Sequence, residues 1–123
     1  MEANSPNAKP LVERRRLPRL RVTFSIQFRN VLKPGESFNG GLSENLSASG
    51  VRMKSFAFLA KETRLVLLLS LPKQLRPIRL IGRVAWIKRQ RFTEGYDCGV
   101  QFLEIQSQDR EMIADTVEQG ILP

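Results

Sequence analysis

Two short runs of this chain carry side chains that can do chemistry. The first is Glu13-Arg14-Arg15-Arg16-Leu17-Pro18-Arg19, and the second is Asn45-Leu46-Ser47-Ala48-Ser49-Gly50. Arginine presents a planar fork of N–H donors that grips a phosphate or a purine edge bidentately, which lysine cannot do. Asn45 offers an amide, Ser47 and Ser49 offer hydroxyls, and Gly50 lets a backbone come close. Together these groups suit a small anionic ligand that carries phosphates and a purine edge. Arg52, two residues past Gly50, is placed to reach a phosphate or to lie solvated on its strand. Trp86, the single tryptophan, offers a stacking face to a base, although a lone tryptophan on a strand is more often a core residue.

The overall charge agrees with an anionic partner. The chain has 123 residues, 20 basic against 12 acidic side chains, and a formal net charge of +8. Five arginines, Arg14, Arg15, Arg16, Arg19 and Arg21, crowd into one short segment, which an even basic coating for solubility would not produce. Other chemistries lack their residues. Without histidine there is no Ser-His-Asp or Cys-His nucleophile system, and with Cys98 as the only cysteine neither a zinc site nor an internal disulfide is expected. No phosphate-binding G-x-x-x-x-G-K-[ST] loop or G-x-G-x-x-G motif is present. No enzyme activity, metal or cofactor is therefore expected. The lack of a long apolar run or an apolar leader points away from membrane insertion and secretion, and a reducing cytoplasm fits.

The elements that must position these residues read as one β-rich domain. Residues 1–11 read as a disordered tail, and 12–21 as the arginine segment, which Pro18 keeps from being a continuous helix. From 21 to 30, Val22, Phe24, Ile26 and Phe28 alternate with polar residues, as on a half-buried strand. Lys33-Pro34-Gly35-Glu36 reads as a turn with positive φ at Gly35. A second strand is expected over 37–45, with Gly40-Gly41 marking a bulge or a close approach. A third begins at Gly50, with Val51 and Met53 on one face and Arg52 on the other. The apolar run 63–71 reads as a strand ended by Pro72, the segment 78–88 as a long strand bent at Gly82, and the alternation of Tyr96, Cys98, Val100 and Phe102 as a sixth. After Ser107, a plausible N-cap, the spacing of Met112, Ile113, Val117 and Ile121 is helical, which predicts a C-terminal helix over 108–120. Six short antiparallel strands and one helix predict an all-β fold with a C-terminal helix, a six-stranded antiparallel barrel over 22–103 whose closure removes sheet edges.

In this order and spacing, Arg15-x-x-x-Arg19 and Asn45-x-Ser47-x-x-Gly50 resemble the R-x-x-x-R and [D/N]-x-S-x-x-G motifs of PilZ domains. Gly82-Arg83-Val84-Ala85-Trp86 resembles the G-x-V-x-W strand of that family, and Gly99-Val100-Gln101-Phe102 its G-x-x-F strand. The resemblance runs from about Val12 to the C-terminus. It implies a six-stranded barrel with a C-terminal helix that binds cyclic di-GMP, with Arg15 and Arg19 as the principal pair, Arg14 as an auxiliary, and Asn45, Ser47 and Gly50 at the guanine edge. Many family members carry Asp where this chain has Asn45, and an amide has one acceptor oxygen where a carboxylate has two. A receptor of this kind would order its arginine segment on the ligand and signal to a downstream protein partner. Two alternatives share the basic charge and the β pattern. One is a single-stranded nucleic-acid binder on an OB-like barrel, which would need Trp86, Tyr96, Phe92 or Phe38 as exposed stacking faces. The other is a PilZ-like interaction module that binds no ligand.

Overall fold

The computed structural model describes residues 19–121, without the side chain of Ile121. The tail 1–11 and most of the arginine segment, Arg14 and Arg15 included, lie outside the described residues. Six strands close into a barrel: β1 (Ser25–Asn30), β2 (Asn39–Ser47), β3 (Gly50–Ser55), β4 (Arg64–Leu69), β5 (Ile78–Arg89) and β6 (Tyr96–Glu104). Their order around the barrel is β1-β2-β3-β6-β5-β4, with β4 pairing back to β1 and every pair antiparallel. The helix α1 (Ser107–Ile121) follows.

Period-2 alternation decides which side chains enter the barrel. Ile26, Phe28, Met53, Leu65, Leu67, Leu69, Val84, Cys98 and Val100 all point inward and are buried. The run on β4 reads as unbroken because its outward residue Val66 is also 6% exposed. It sits between Arg29 of β1 and Ile81 of β5 in the outer row, and the Arg29 guanidinium in turn stacks 4.5 Å over Phe38. Helix α1 contributes Ile113 and Val117 to the same core.

Four local expectations change or resolve. The first strand is shorter than 21–30, because 20–24 is tied to β2 by other means. Ser43 is buried and inward, and its hydroxyl accepts from Phe24 N–H and donates to the Val22 carbonyl. Leu20 and Leu46 exchange two backbone hydrogen bonds of 2.8 Å as an isolated bridge. The turn at 33–36 forms, with Glu36 N–H donating to the Lys33 carbonyl, but without positive φ at Gly35. Of the two readings of Gly40-Gly41 the close approach holds, Gly41 lying against the Lys54 carbonyl, and the bulge in β2 falls at Glu44. The helix begins one residue early: Arg110 N–H bonds the Gln106 carbonyl, so Gln106 and not Ser107 holds the cap position.

The buried thiol yields a pH prediction. Burial pushes the Cys98 thiol from 9.0 up to about 11, and the charges of Asp97 and Glu44 add to the shift. The folded state therefore holds this proton after the unfolded chain has released it, so the contribution to stability is complete below the unfolded value and is lost as pH rises toward 11. Urea unfolding at pH 8 and pH 10.5 should show a larger loss of stability in the natural chain than in Cys98→Ala. Equal losses would contradict this assignment.

Candidate functional site

A regular barrel would hide the residues that matter. On β2, Gly41 and Ser43 point inward, and unbroken alternation would turn Asn45 and Ser47 inward as well. The extra residue Glu44 shifts the register between Ser43↔Met53 and Asn45↔Arg52. Past it, Leu46 enters the core opposite Val51, while Asn45 and Ser47 come to the outer face beside Arg52 and Gly50. A bulge of this kind re-aims side chains without breaking the sheet.

The same device acts on β5. Val84 pairs with Val100 in the core, and Trp86 would follow it inward. Ala85 is an extra residue between Val84↔Val100 and Trp86↔Gly99, so Trp86 emerges on the outer face and is 40% exposed. It is not a core residue. Gly99 makes room for it: a Cβ there would overlap the indole nitrogen, so the ring lies flat across β6. On the far side of Gly99 in the same row stands Arg52, its guanidinium carbon 5.6 Å from the Trp86 ring. Arg52 is held there by Glu44 (Nε to Oε1, 3.1 Å) and Asp97 (Nη2 to Oδ2, 3.5 Å).

Gly50 occupies the next row. A Cβ there would stand 2.6 Å from the Val100 carbonyl, so the glycine is required by close approach between β3 and β6. Its φ is not positive, so close approach and not backbone conformation selects glycine here. Ser47 holds the 47–50 turn: its hydroxyl accepts from Ser49 N–H at 3.3 Å and donates to the Gly50 carbonyl at 3.4 Å. Leu20 fixes where Arg19 enters. Besides its bridge to Leu46, it packs where α1 has no side chain, since a Cβ on Gly120 would meet both Leu20 methyls at 2.6 Å.

These rows enclose an open cavity of about 340 Å³, into which Arg19, Asn45, Ser47, Gly50, Arg52 and Trp86 all face. Six of the eight residues singled out from the sequence are thus brought together; Arg14 and Arg15 lie outside the described residues. Ser49, whose hydroxyl the sequence offers, also lines the cavity; sequence reading missed Ala85 and Gln101 as lining residues, and Gly99, noted only as a motif position, is the seat of the indole. Two arginine side chains, a stacking face and short polar groups make a surface chemically complementary to an anion with an aromatic part. Among the described residues no group of His, Cys, Asp and Glu could hold a metal ion.

The class is thus a small closed β-barrel with a C-terminal helix and a basic, aromatic cavity on its outer wall. The chain belongs to the PilZ domain family, whose pattern it matches over residues 13–119. Solved structures of similar fold include the Bacillus subtilis inhibitor of motility MotI/DgrA (TM-score 0.71, 22% identity, 85% of this chain and 50% of that one). They also include the PilZ domain of YcgR from Escherichia coli with c-di-GMP (0.68, 12%, 86% and 90%) and the K. pneumonia MrkH–c-di-GMP complex (0.66, 16%, 85% and 51%). The chain spans half the length of MotI/DgrA and about half that of MrkH. A comparison with curated protein sequences returns no match.

The sole tryptophan reports on the cavity floor directly. Gly99→Ala should lift the indole off β6, red-shift its emission and raise its quenching by acrylamide, with the far-UV circular dichroism unchanged. An unaltered emission maximum and quenching constant would contradict the packing described.

Proposed function

We propose that this domain is a receptor for cyclic di-GMP. The observation that carries the reading is the convergence on one outer face of Arg19, Asn45, Ser47 and the exposed Trp86, at motif positions of a family with c-di-GMP-bound members, with Arg52 beside them. A guanine stacks on Trp86, Arg19 and Arg52 take phosphates or the O6/N7 edge, and Asn45 accepts from N1–H or N2–H2. The segment 12–21 closes over the bound ligand, adding Arg15 as the partner of Arg19 and Arg14 as an auxiliary. The ordering cost is offset by charge-assisted hydrogen bonds of about 1.5–3 kcal/mol each. No catalytic group enters the scheme, so output passes to a downstream protein through the rearranged surface.

The nucleic-acid alternative finds less support. Among its four aromatic candidates only Trp86 faces the cavity; Phe38 lies under Arg29, and Tyr96 packs edge-on against Phe58 with centroids 5.5 Å apart.

Isothermal titration calorimetry with cyclic di-GMP tests the reading, with GTP as control. Saturable binding is expected, weakened at least about tenfold in Arg15→Ala, Arg19→Ala and Ser47→Ala, with no response to GTP. Absence of binding up to about 100 μM ligand, roughly −5.5 kcal/mol, would overturn it. Closure of the arginine segment should appear as slower tryptic cleavage after Arg14, Arg15 and Arg16 when ligand is present. Cleavage rates that ligand leaves unchanged would remove the closure from the mechanism.

A further inference from the structure

Beside Trp86, three side chains outside the family's motif positions form a line on the outer wall. Arg83 of β5 donates through Nη1 to both carboxylate oxygens of Glu62, at 2.9 and 2.8 Å. Its Nη2 donates to Oε1 of Gln101, its cross-strand partner on β6. Glu62 adopts φ +78°, an uncommon left-handed conformation for a residue with a Cβ. Its N–H is bonded to the Val84 carbonyl, which secures the turn carrying the carboxylate.

This line fixes the chemistry of Gln101. Arginine has donors and no acceptor, so the glutamine oxygen must face Arg83. The amide nitrogen, with its two N–H donors, is then the end turned away, and among the described residues no acceptor is assigned to it. Gln101 faces the same cavity as Trp86 and Ser47. Its partner on the other side is Gly50, which has no side chain to cover it. Arg52 shares the Trp86 row but is engaged by Glu44 and Asp97, whereas Gln101 occupies the adjacent row with its amide nitrogen toward the cavity.

We infer that Gln101 is a specificity-determining residue: through Nε2 it donates to the O6 acceptor of the guanine stacked on Trp86, with Arg83 as the positioning residue that holds it in the donating orientation. The inference rests on the receptor reading above. An amide pinned by its oxygen can only donate, so it accepts a guanine carbonyl and rejects an amino group at the same place. That selectivity is absent from a freely rotating glutamine.

The test is calorimetry on the full chain with two ligands, cyclic di-GMP and its bis(2-aminopurine) analogue, which keeps both phosphates and lacks O6. Gln101→Met should weaken cyclic di-GMP about tenfold and leave the analogue unaffected. Gln101→Glu should pair directly with Arg83, raise or preserve the melting temperature, and weaken cyclic di-GMP by more than Gln101→Met does, which separates binding from folding. Arg83→Met should weaken binding in the natural background and have no further effect on top of Gln101→Met. Undiminished binding of cyclic di-GMP by Gln101→Met overturns the inference while the receptor reading stands. An equal loss for both ligands overturns the base contact in favour of a phosphate contact. An Arg83→Met effect that persists in the Gln101→Met background overturns the positioning role. If the natural chain does not bind cyclic di-GMP, the receptor reading itself fails.

Discussion

Closure of the barrel is the constraint on which everything else depends. In a closed sheet each strand has one inside and one outside, and alternation allots residues to them without appeal. A ligand site on the outer wall therefore competes with the core for the same strands. This chain resolves the competition with one extra residue on each of two strands. Glu44 on β2 and Ala85 on β5 each reverse the phase of the alternation midway. Before the bulge, Ser43 and Val84 serve the core; after it, Asn45, Ser47 and Trp86 serve the outer face. Leu46 and Ile87 then take up inward positions that would otherwise have faced water.

The bulges bring side chains outward, and the glycines of β3 and β6 decide what those side chains can do there. Gly50 and Gly99 leave gaps in adjacent outer rows, and the indole fills only the second. The result is a floor with an aromatic plane and open backbone, rimmed by guanidinium groups. Arg52 shows how charge is managed on this wall. Held by Glu44 and Asp97 and stacked near Trp86, it is kept at the cavity with part of its charge balanced. Exposed ion pairs of this kind contribute little to stability, about 0–1 kcal/mol each, so their exchange for an anionic ligand is inexpensive.

Much of this fold is written in period 2. Phe24, Ile26 and Phe28, then Val51 and Met53, then Cys98, Val100 and Phe102 each show on which face they lie, because burial and alternation agree. The helix was equally legible from Ile113 and Val117. What the residue pattern does not display is a change of phase. Nothing about Glu44 or Ala85 marks them as bulges, whereas Gly40-Gly41, which has the composition of one, is paired in regular register. The same limit left Trp86 between two readings, a core residue or a stacking face: counted by twos from Val84 it belongs inside, and only the bulge at Ala85 turns it out. Gln101 was illegible for another reason, since a polar residue on a strand reads as solvated until the guanidinium that fixes its oxygen is seen.

The placement of Arg19 shows how far the site reaches into the rest of the molecule. An exposed arginine ahead of the first strand would ordinarily sample many positions, and fixing it costs conformational entropy. Here its neighbour Leu20 is gripped twice, by the paired backbone bonds to Leu46 and by the groove left at Gly120. Leu46 is itself inward only because of the bulge at Glu44, and Gly120 is on a helix anchored in the core by Ile113 and Val117. The position of Arg19 at the cavity thus derives from β2, from the barrel core and from the last turn of α1 together. By linkage, where an interaction at Arg19 is coupled to the seating of Leu20 against that helix, each favours the other to the same free-energy extent. The Leu20 seat thus joins the cavity to the last turn of a surface helix.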